Sequence, residues 1–125
     1  MLEEIVVAVD DRPGVMAEIG ELLGDAGVNI ETVSAWAHEG RGVIHLVVDD
    51  GEEAGEILTA NGFAIERSQP LLEATVDDRP GELGRYCRKL AIAGVTISTV
   101  YVSKRAGGET ELIFAVDDLE EAKKV

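Results

Sequence analysis

The sequence predicts an α+β protein made of two copies of one strand–helix–strand–strand–helix–strand unit, with an antiparallel sheet and helices on one face. Three observations predict this fold class. Asp-Asp-Arg-Pro-Gly occurs at residues 10–14 and again at residues 77–81, and Ala-Gly-Val occurs at residues 26–28 and 93–95. Positions 11 and 78, and positions 27 and 94, are separated by the same 67 residues. Apolar residues at helical spacing lie between the two landmarks. A fixed spacing through dissimilar residues indicates one repeated structural unit.

The first half of the first unit is predicted from local chemistry. Residues 5–9 are β-branched and apolar and predict a strand. Pro13 and Gly14 end it, because proline fixes φ and glycine permits a tight turn. A helix follows, and Gly27 ends it before a strand at residues 28–37. The apolar residues of this helix are Met16, Ile19, Leu22, Leu23 and Ala26.

The rest of the unit contains a hairpin and a second helix. A glycine-flanked turn at residues 38–42 precedes a strand at residues 43–48. Asp49, Asp50 and Gly51 predict the start of a helix over residues 53–60, which Asn61 and Gly62 end. Residues 63–66 predict a fourth strand. This order is that of ferredoxin-like βαββαβ domains.

The second copy repeats most of this order after a short linker at residues 67–70. Strands are predicted at residues 71–76, 95–104 and 110–116, a helix at residues 81–93, and a turn at residues 106–108. A last helix begins at residue 117. No fourth strand follows it, so this sheet edge is expected to be uncovered or to take a strand from a neighbour. The predicted domains are residues 1–69 and residues 70–125, the second lacking its last strand.

Strand alternation predicts which face of each sheet packs on the helices. The opposite face of the first sheet is too apolar for solvent, so another sheet or subunit is expected to cover it, and dimerisation through it is a hypothesis. The helix-facing residues are Ile5, Val7, Val9, Ile44, Leu46 and Val48 in the first unit, and Leu72, Ala74, Val76, Leu112, Phe114 and Val116 in the second. The opposite face of the first sheet carries Val6, Ala8, Val43, His45 and Val47.

Charge and composition exclude some partners. The chain has 125 residues and a formal net charge of −14, which argues against nucleic acid and against an anionic membrane surface. A solvated acidic surface explains this charge more simply. No apolar run approaches the ~18 residues of a membrane-spanning helix, and there is no signal-peptide pattern. One cysteine excludes an intrachain disulfide and fits a reducing cytoplasm.

Catalytic and metal motifs are absent from the sequence. Cys87 lies on the apolar face of its helix, and core packing is expected because both histidines are in the other copy. His38 and His45 lack a third ligand, so surface or interface roles are expected, and no metal or cofactor is predicted. Trp36 is expected to pack in the hairpin or at an interface. No nucleophile elbow or phosphate-binding glycine loop is present.

The Asp-Arg-Pro-Gly turn, the amphipathic helix and Ala-Gly-Val-Asn-Ile-Glu at residues 26–31 resemble the ACT domain, a regulatory module of aspartokinases, phosphoglycerate dehydrogenases and acetolactate synthase regulatory subunits. The resemblance covers both units. It implies binding of a free amino acid at an interface between ACT units, where the turn of one unit meets the second strand of the other.

The residue types of the first copy suit a zwitterion. Backbone N–H groups from Gly14 onward can receive a carboxylate at the helix N-terminus. Asn29 offers an acceptor and a donor, and Asp11 could take an ammonium group. Structural alternatives remain open, because Asp11 could cap the helix and Arg12 could be solvated or ion-paired. The predicted ligand-binding residues are Asp11, Arg12, Pro13, Gly14, Val15, Asn29 and Ile30.

The second copy departs from this pattern. Thr96 replaces Asn29, and Glu82 replaces Val15, which would repel a carboxylate unless the ligand is basic. We therefore expect the first turn, or one composite pocket, rather than two equivalent sites. The weaker second site would comprise Asp78, Arg79, Pro80, Gly81, Thr96 and Ile97.

The leading functional hypothesis is a non-catalytic amino-acid-sensing regulator, expected to be a homodimer. The alternative is a ligand-free assembly subunit that binds and regulates a separately encoded metabolic enzyme. An enzyme is the third hypothesis, because no activated nucleophile or acid–base pair is visible.

Overall fold

The computed structural model describes residues 1–125 and divides into two compact units, Met1–Gln69 and Pro70–Val125. The first unit contains β1 (Glu3–Asp10), α1 (Val15–Asp25), β2 (Ile30–His38), β3 (Arg41–Val48), α2 (Gly51–Ala60) and β4 (Ala64–Pro70). Its sheet has the order β2-β3-β1-β4, and β3 is antiparallel to both β1 and β2. This is the predicted ferredoxin-like unit.

The second unit contains β5 (Leu72–Asp77), α3 (Glu82–Ile92), β6 (Ile97–Ala106), β7 (Glu109–Val116) and the short α4 (Leu119–Ala122). Its sheet has three strands in the order β5-β7-β6, with β7 antiparallel to both neighbours. The predicted α+β class and the missing last strand of this unit are confirmed.

Each unit has its own apolar core between the sheet and its helices. In the first unit, the alternate residues Ile5, Val7 and Val9 of β1 pack with Ile19 and Leu23 of α1. In the second unit, Leu72, Leu112 and Phe114 pack with Leu90 of α3. The helix-facing residues of both sheets are those that strand alternation predicts.

Several predicted boundaries are wrong by a few residues. β2 begins at Ile30 rather than at position 28, because the Val28 N–H donates to the Leu23 carbonyl and completes the end of α1. The first hairpin turn is only Glu39 and Gly40, since the strands continue through His38 and from Arg41. The expected linker at residues 67–70 belongs to β4. In the second unit, β5 begins at Leu72 and β6 extends to Ala106.

On the face of the first sheet opposite its helices, Val6, His45 and Val47 are buried. Ala8 and Val43 are half-buried. No helix in the chain combines the length and apolar character needed to cross a membrane.

Candidate functional site

The turn between β1 and α1 leaves the helix start without a side-chain cap. Gly14 is the N-cap residue, has φ +88°, and makes no side-chain hydrogen bond to the first turn. Asp11 therefore does not cap α1, and its backbone N–H donates instead to the Gly40 carbonyl at 2.8 Å. Pro13 lies between these two residues. The free N–H groups at the start of α1 thus remain open to another acceptor.

Arg12 is held by the helix that follows it. Its Nη2 atom donates to Oε2 of Glu18 at 2.6 Å, and both side chains are about half-exposed. The ion-paired alternative for Arg12 is therefore the observed state. A guanidinium carries five N–H donors, so this contact leaves most of its donor capacity unused by Glu18.

Asn29 lies just before β2 and is exposed. Its backbone N–H donates to Oδ1 of Asp49 at 3.0 Å, and its Nδ2 donates to Oε1 of Glu31 at 2.9 Å. Thr96 makes the same backbone contact with Asp117, at 2.9 Å. The backbone contact is therefore structural in both units, and only the amide side chain of Asn29 is specific to the first.

The turn and Asn29 lie at opposite ends of the first sheet. Ile30 of β2 is opposite Val48 of β3, and Val48 is also opposite Glu3 at the start of β1. The turn follows Asp10, at the other end of β1. Eight strand residues separate the two ends by roughly 25 Å. The structure therefore does not bring Asn29 and Ile30 together with residues 11–15 of the same unit.

A cavity of about 290 Å³ opens beside the turn; we call it the turn cavity. It contains two of the predicted residues, Arg12 and Val15. Sequence reasoning missed the others, although Arg41 could have been found, since hairpin pairing sets it opposite Asp10. The turn cavity is lined by Ala8, Val9, Asp10, Arg12, Val15, Arg41, Gly62, Phe63 and Ala64.

The corresponding turn of the second unit is crowded with its own ion pairs. Gly81 is again the N-cap residue. Arg79 lies 3.0 Å from Asp77 and 3.5 Å from Glu82, and Arg105 lies 3.7 Å from Asp78. The cavity there measures only about 70 Å³. Pro80 lies within this turn, whereas Thr96 and Ile97 are at the other end of the sheet, as Asn29 and Ile30 are in the first unit.

A buried charged cluster in the first unit was not predicted. Glu4 is fully buried, with its Oε2 atom 3.2 Å from Nδ1 of His45 and its Oε1 atom 3.1 Å from Nη2 of Arg67. Trp36 stacks on the His45 ring with centroids 4.8 Å apart. The sequence signal was the alternation of β1, which sets Glu4 on the same face as Val6.

His38 and Cys87 line neither the turn cavity nor the cavity of the second unit. No group of three or more His, Cys, Asp and Glu side chains could hold a metal ion, and Nε2 of the exposed His38 lies 3.6 Å from Oε1 of Glu39. Burial raises the pKa of the Cys87 thiol, which disfavours the nucleophilic thiolate. Cys87 packs at the edge of the second core, where Tyr86 stacks on Phe114.

The family assignment follows from the match of the first unit. The ACT domain family model matches residues 4–60, so this segment is an ACT domain. The second unit repeats the order of the first five elements of the first unit, which agrees with the predicted tandem arrangement.

Two curated plant proteins are similar to this chain. The ACT domain-containing protein ACR3 of Arabidopsis thaliana is 25% identical over 125 residues, covering 97% of this chain and 25% of that protein. ACT domain-containing protein ACR1 of the same plant is 33% identical over 48 residues, covering 38% of this chain and 10% of that protein. The chain thus spans a quarter or less of the length of these relatives.

Solved structures share the fold. A protein from Bacteroides thetaiotaomicron has a TM-score of 0.84 at 17% identity, covering 98% of this chain and 83% of that chain. The regulatory subunit of aspartate kinase from Thermus thermophilus, in its ligand-free form, has a TM-score of 0.74 at 17% identity, covering 98% and 86%. At this level of identity the likeness shows the fold alone.

Proposed function

We propose that this protein is a non-catalytic regulator that senses a free amino acid at an interface between ACT units. The observation that carries this proposal is the turn cavity of the first unit. It lies beside an uncapped helix start and is lined by two arginines. A carboxylate is stabilised by both features, through charge-assisted hydrogen bonds and through the helix dipole.

The proposed site combines two parts of the first unit. Residues 11–15 form the half that receives the carboxylate, and Asn29 with Ile30 form the half that contacts the rest of the ligand. Because these halves lie at opposite ends of one sheet, one ligand meets both only if they come from different ACT units. The weaker site at the second turn has the same division between residues 78–81 and Thr96 with Ile97.

Regulation of an enzyme is supported by a protein of the same fold. The solved structure from Thermus thermophilus is named as the regulatory subunit of aspartate kinase. We infer that this chain likewise acts on a separately encoded metabolic enzyme. A ligand shifts such a partner only by its differential affinity for two states of the regulator.

Thermal unfolding with each of the twenty amino acids at millimolar concentration tests the proposal. Trp36 is the sole tryptophan, so its fluorescence reports the first unit directly. A ligand at ~100 times its dissociation constant stabilises the folded state by roughly 2.7 kcal/mol, which raises the melting temperature by several degrees. If no amino acid raises it, amino-acid sensing is contradicted.

The second candidate function is a ligand-free assembly subunit. Its supporting observation is the exposure of apolar side chains on two edge strands: Val33 and Trp36 on β2 are 44% and 54% exposed. Val100 and Val102 on β6 are 45% and 44% exposed. Exposed strand edges with apolar side chains favour pairing with another chain. If this protein binds an enzyme and no amino acid changes that binding, the assembly-subunit candidate is favoured.

A further inference from the structure

We propose that the turn cavity selects a neutral amino acid with an apolar side chain, and that Arg41 and Asp10 contribute to its recognition. This inference rests on the proposed amino-acid sensing and adds the class of ligand. Neither Arg41 nor Asp10 belongs to the predicted turn, which begins at Asp11.

The charged groups of the turn cavity match the two charges of an amino acid. Arg12 and Arg41 supply two guanidinium groups, and Asp10 supplies one carboxylate, although the chain as a whole carries a net charge of −14. The Arg41 Nε atom lies 3.8 Å from Oδ1 of Asp10, and these side chains are 72% and 87% exposed. That separation is beyond hydrogen-bond range. Arg41 can therefore rotate to bind the carboxylate of a ligand, while Asp10 accepts hydrogen bonds from the ammonium group of the same ligand.

Apolar side chains form part of the wall of the turn cavity. Val9, Val15 and Phe63 line it together with Ala8 and Ala64. An aliphatic or aromatic side chain gains free energy by leaving water for such a surface. A basic side chain would bring a second cation beside two arginines, with Asp10 as the only carboxylate lining the cavity. The cavity therefore disfavours lysine and arginine as ligands.

The corresponding cavity of the second unit has different residues at the positions that would make the turn cavity selective. Asp77 lies opposite Glu109 in the β5–β7 pair, where Asp10 lies opposite Arg41 in the β1–β3 pair. Glu82 stands where Val15 stands, so a carboxylate replaces part of the apolar wall. With Asp77, Asp78 and Glu82 against Arg79 and Arg105, the smaller cavity carries a net negative charge. The first turn alone is therefore suited to an anionic group.

Titration calorimetry on the full chain tests the inference with a matched pair of variants. Arg41→Gln removes the guanidinium of the turn cavity. Arg105→Gln removes an arginine of similar exposure, 65%, whose Nε lies at a similar distance, 3.7 Å, from a carboxylate in the second unit. The titrants are leucine, isoleucine, phenylalanine, glutamate and lysine, followed by the rest of the twenty amino acids.

We expect leucine, isoleucine or phenylalanine to bind most tightly. Arg41→Gln should weaken that binding about ten- to hundredfold, whereas Arg105→Gln should leave it unchanged. Isopentylamine, which is leucine without its carboxylate, should produce no binding heat. Unchanged Trp36 fluorescence in both variants shows that the first unit has kept its fold.

The contrary outcomes separate this inference from the proposed function. If an amino acid binds but Arg41→Gln leaves its affinity unchanged, or if lysine or glutamate binds most tightly, the selectivity is overturned while amino-acid sensing stands. If none of the twenty binds, the proposed function is overturned together with this inference.

Discussion

The Nδ1 atom of His45 on β3 lies 3.2 Å from Oε2 of Glu4 on β1, and Glu4 is fully buried. A buried carboxylate is costly unless it is paired and hydrogen-bonded. Glu4 of β1 is paired with His45 of the adjacent strand β3, and Arg67 of β4 makes a second contact with the same carboxylate.

The first prediction concerns Arg67. Its substitution Arg67→Ala removes a cationic partner of the buried Glu4 carboxylate and should lower the free energy of unfolding by about 1–3 kcal/mol. Arg12→Ala is the matched control, because Arg12 is about as exposed but its partner Glu18 is 42% exposed rather than 0%. The control substitution should lower the free energy of unfolding by less than about 1 kcal/mol. Urea unfolding followed by Trp36 fluorescence measures both, and equal losses would contradict the prediction.

The second prediction compares two glycines of the first helix region. Gly14 has φ +88°, so Gly14→Ala forces an L-residue into the left-handed region and should destabilise the unit by about 1–2 kcal/mol. Gly20 lies inside α1, and a Cβ added there would meet nothing within 4 Å apart from its chain neighbours and the nearby backbone of the helix itself. Gly20→Ala should therefore stabilise the unit by about 0.5–1 kcal/mol. Thermal unfolding of both variants checks the opposite signs.

The third prediction follows from the opposite positions of the turn and Asn29. If two chains complete one site, the single variants Arg12→Gln and Asn29→Ala, each assayed alone, should both bind the amino acid more weakly. Mixing them should restore one intact site in each heterodimer, since one wild-type turn then meets one wild-type Asn29. Calorimetry on the mixture measures the recovery. Sedimentation of the unmixed protein should show twice the monomer mass, and a mixture without recovered binding would contradict a shared site.

The fourth prediction concerns alkaline pH in the second unit. Burial raises the pKa of the Cys87 thiol, and burial followed by the nearby Cys87 raises the pKa of Tyr86. Both groups hold their protons in the folded state at pH values where the unfolded chain has lost them. Stability should therefore be fully present below the ordinary thiol pKa and fall as pH rises above about 9. Melting temperatures measured by circular dichroism should fall less with rising pH in Cys87→Ala than in the wild-type protein.

The thiol itself provides a second readout of the same environment. Iodoacetamide should modify Cys87 more slowly at about pH 8 than it modifies the urea-unfolded chain, because the thiolate is the reactive form. Equal rates in the folded and unfolded protein would contradict a raised pKa.

Local chemistry allowed most of the fold to be predicted. Gly27, with φ +76°, ends α1 where the sequence predicted a stop. The side chain of Asp50 accepts a hydrogen bond from the Glu53 N–H and starts α2, again as predicted. Such signals act within a few residues, so they survive without knowledge of the rest of the chain. Most of the errors lie at strand ends, where pairing partners decide the length, and α4 begins at Leu119 rather than at position 117.

The candidate site was less accessible to sequence reasoning. Arg12 and Val15 were predicted and line the turn cavity, but Phe63 and Arg41 reach it from other elements. Phe63 precedes β4, which joins the sheet beside β1 only in the folded unit. Asp11 was a reasonable cap by residue type, yet the Pro13–Gly14 turn gives the N-cap position to Gly14.

The sequence by itself determined the repeat, the order of the elements and the side chains that face the helices. Strand alternation, helical spacing and turn residues are properties of neighbouring positions. Only the tertiary structure decided that Asn29 lies far from the turn of its own unit and that Arg41 shares a cavity with Arg12. Those relationships depend on strand register and sheet order, which are set by packing between residues distant in the chain.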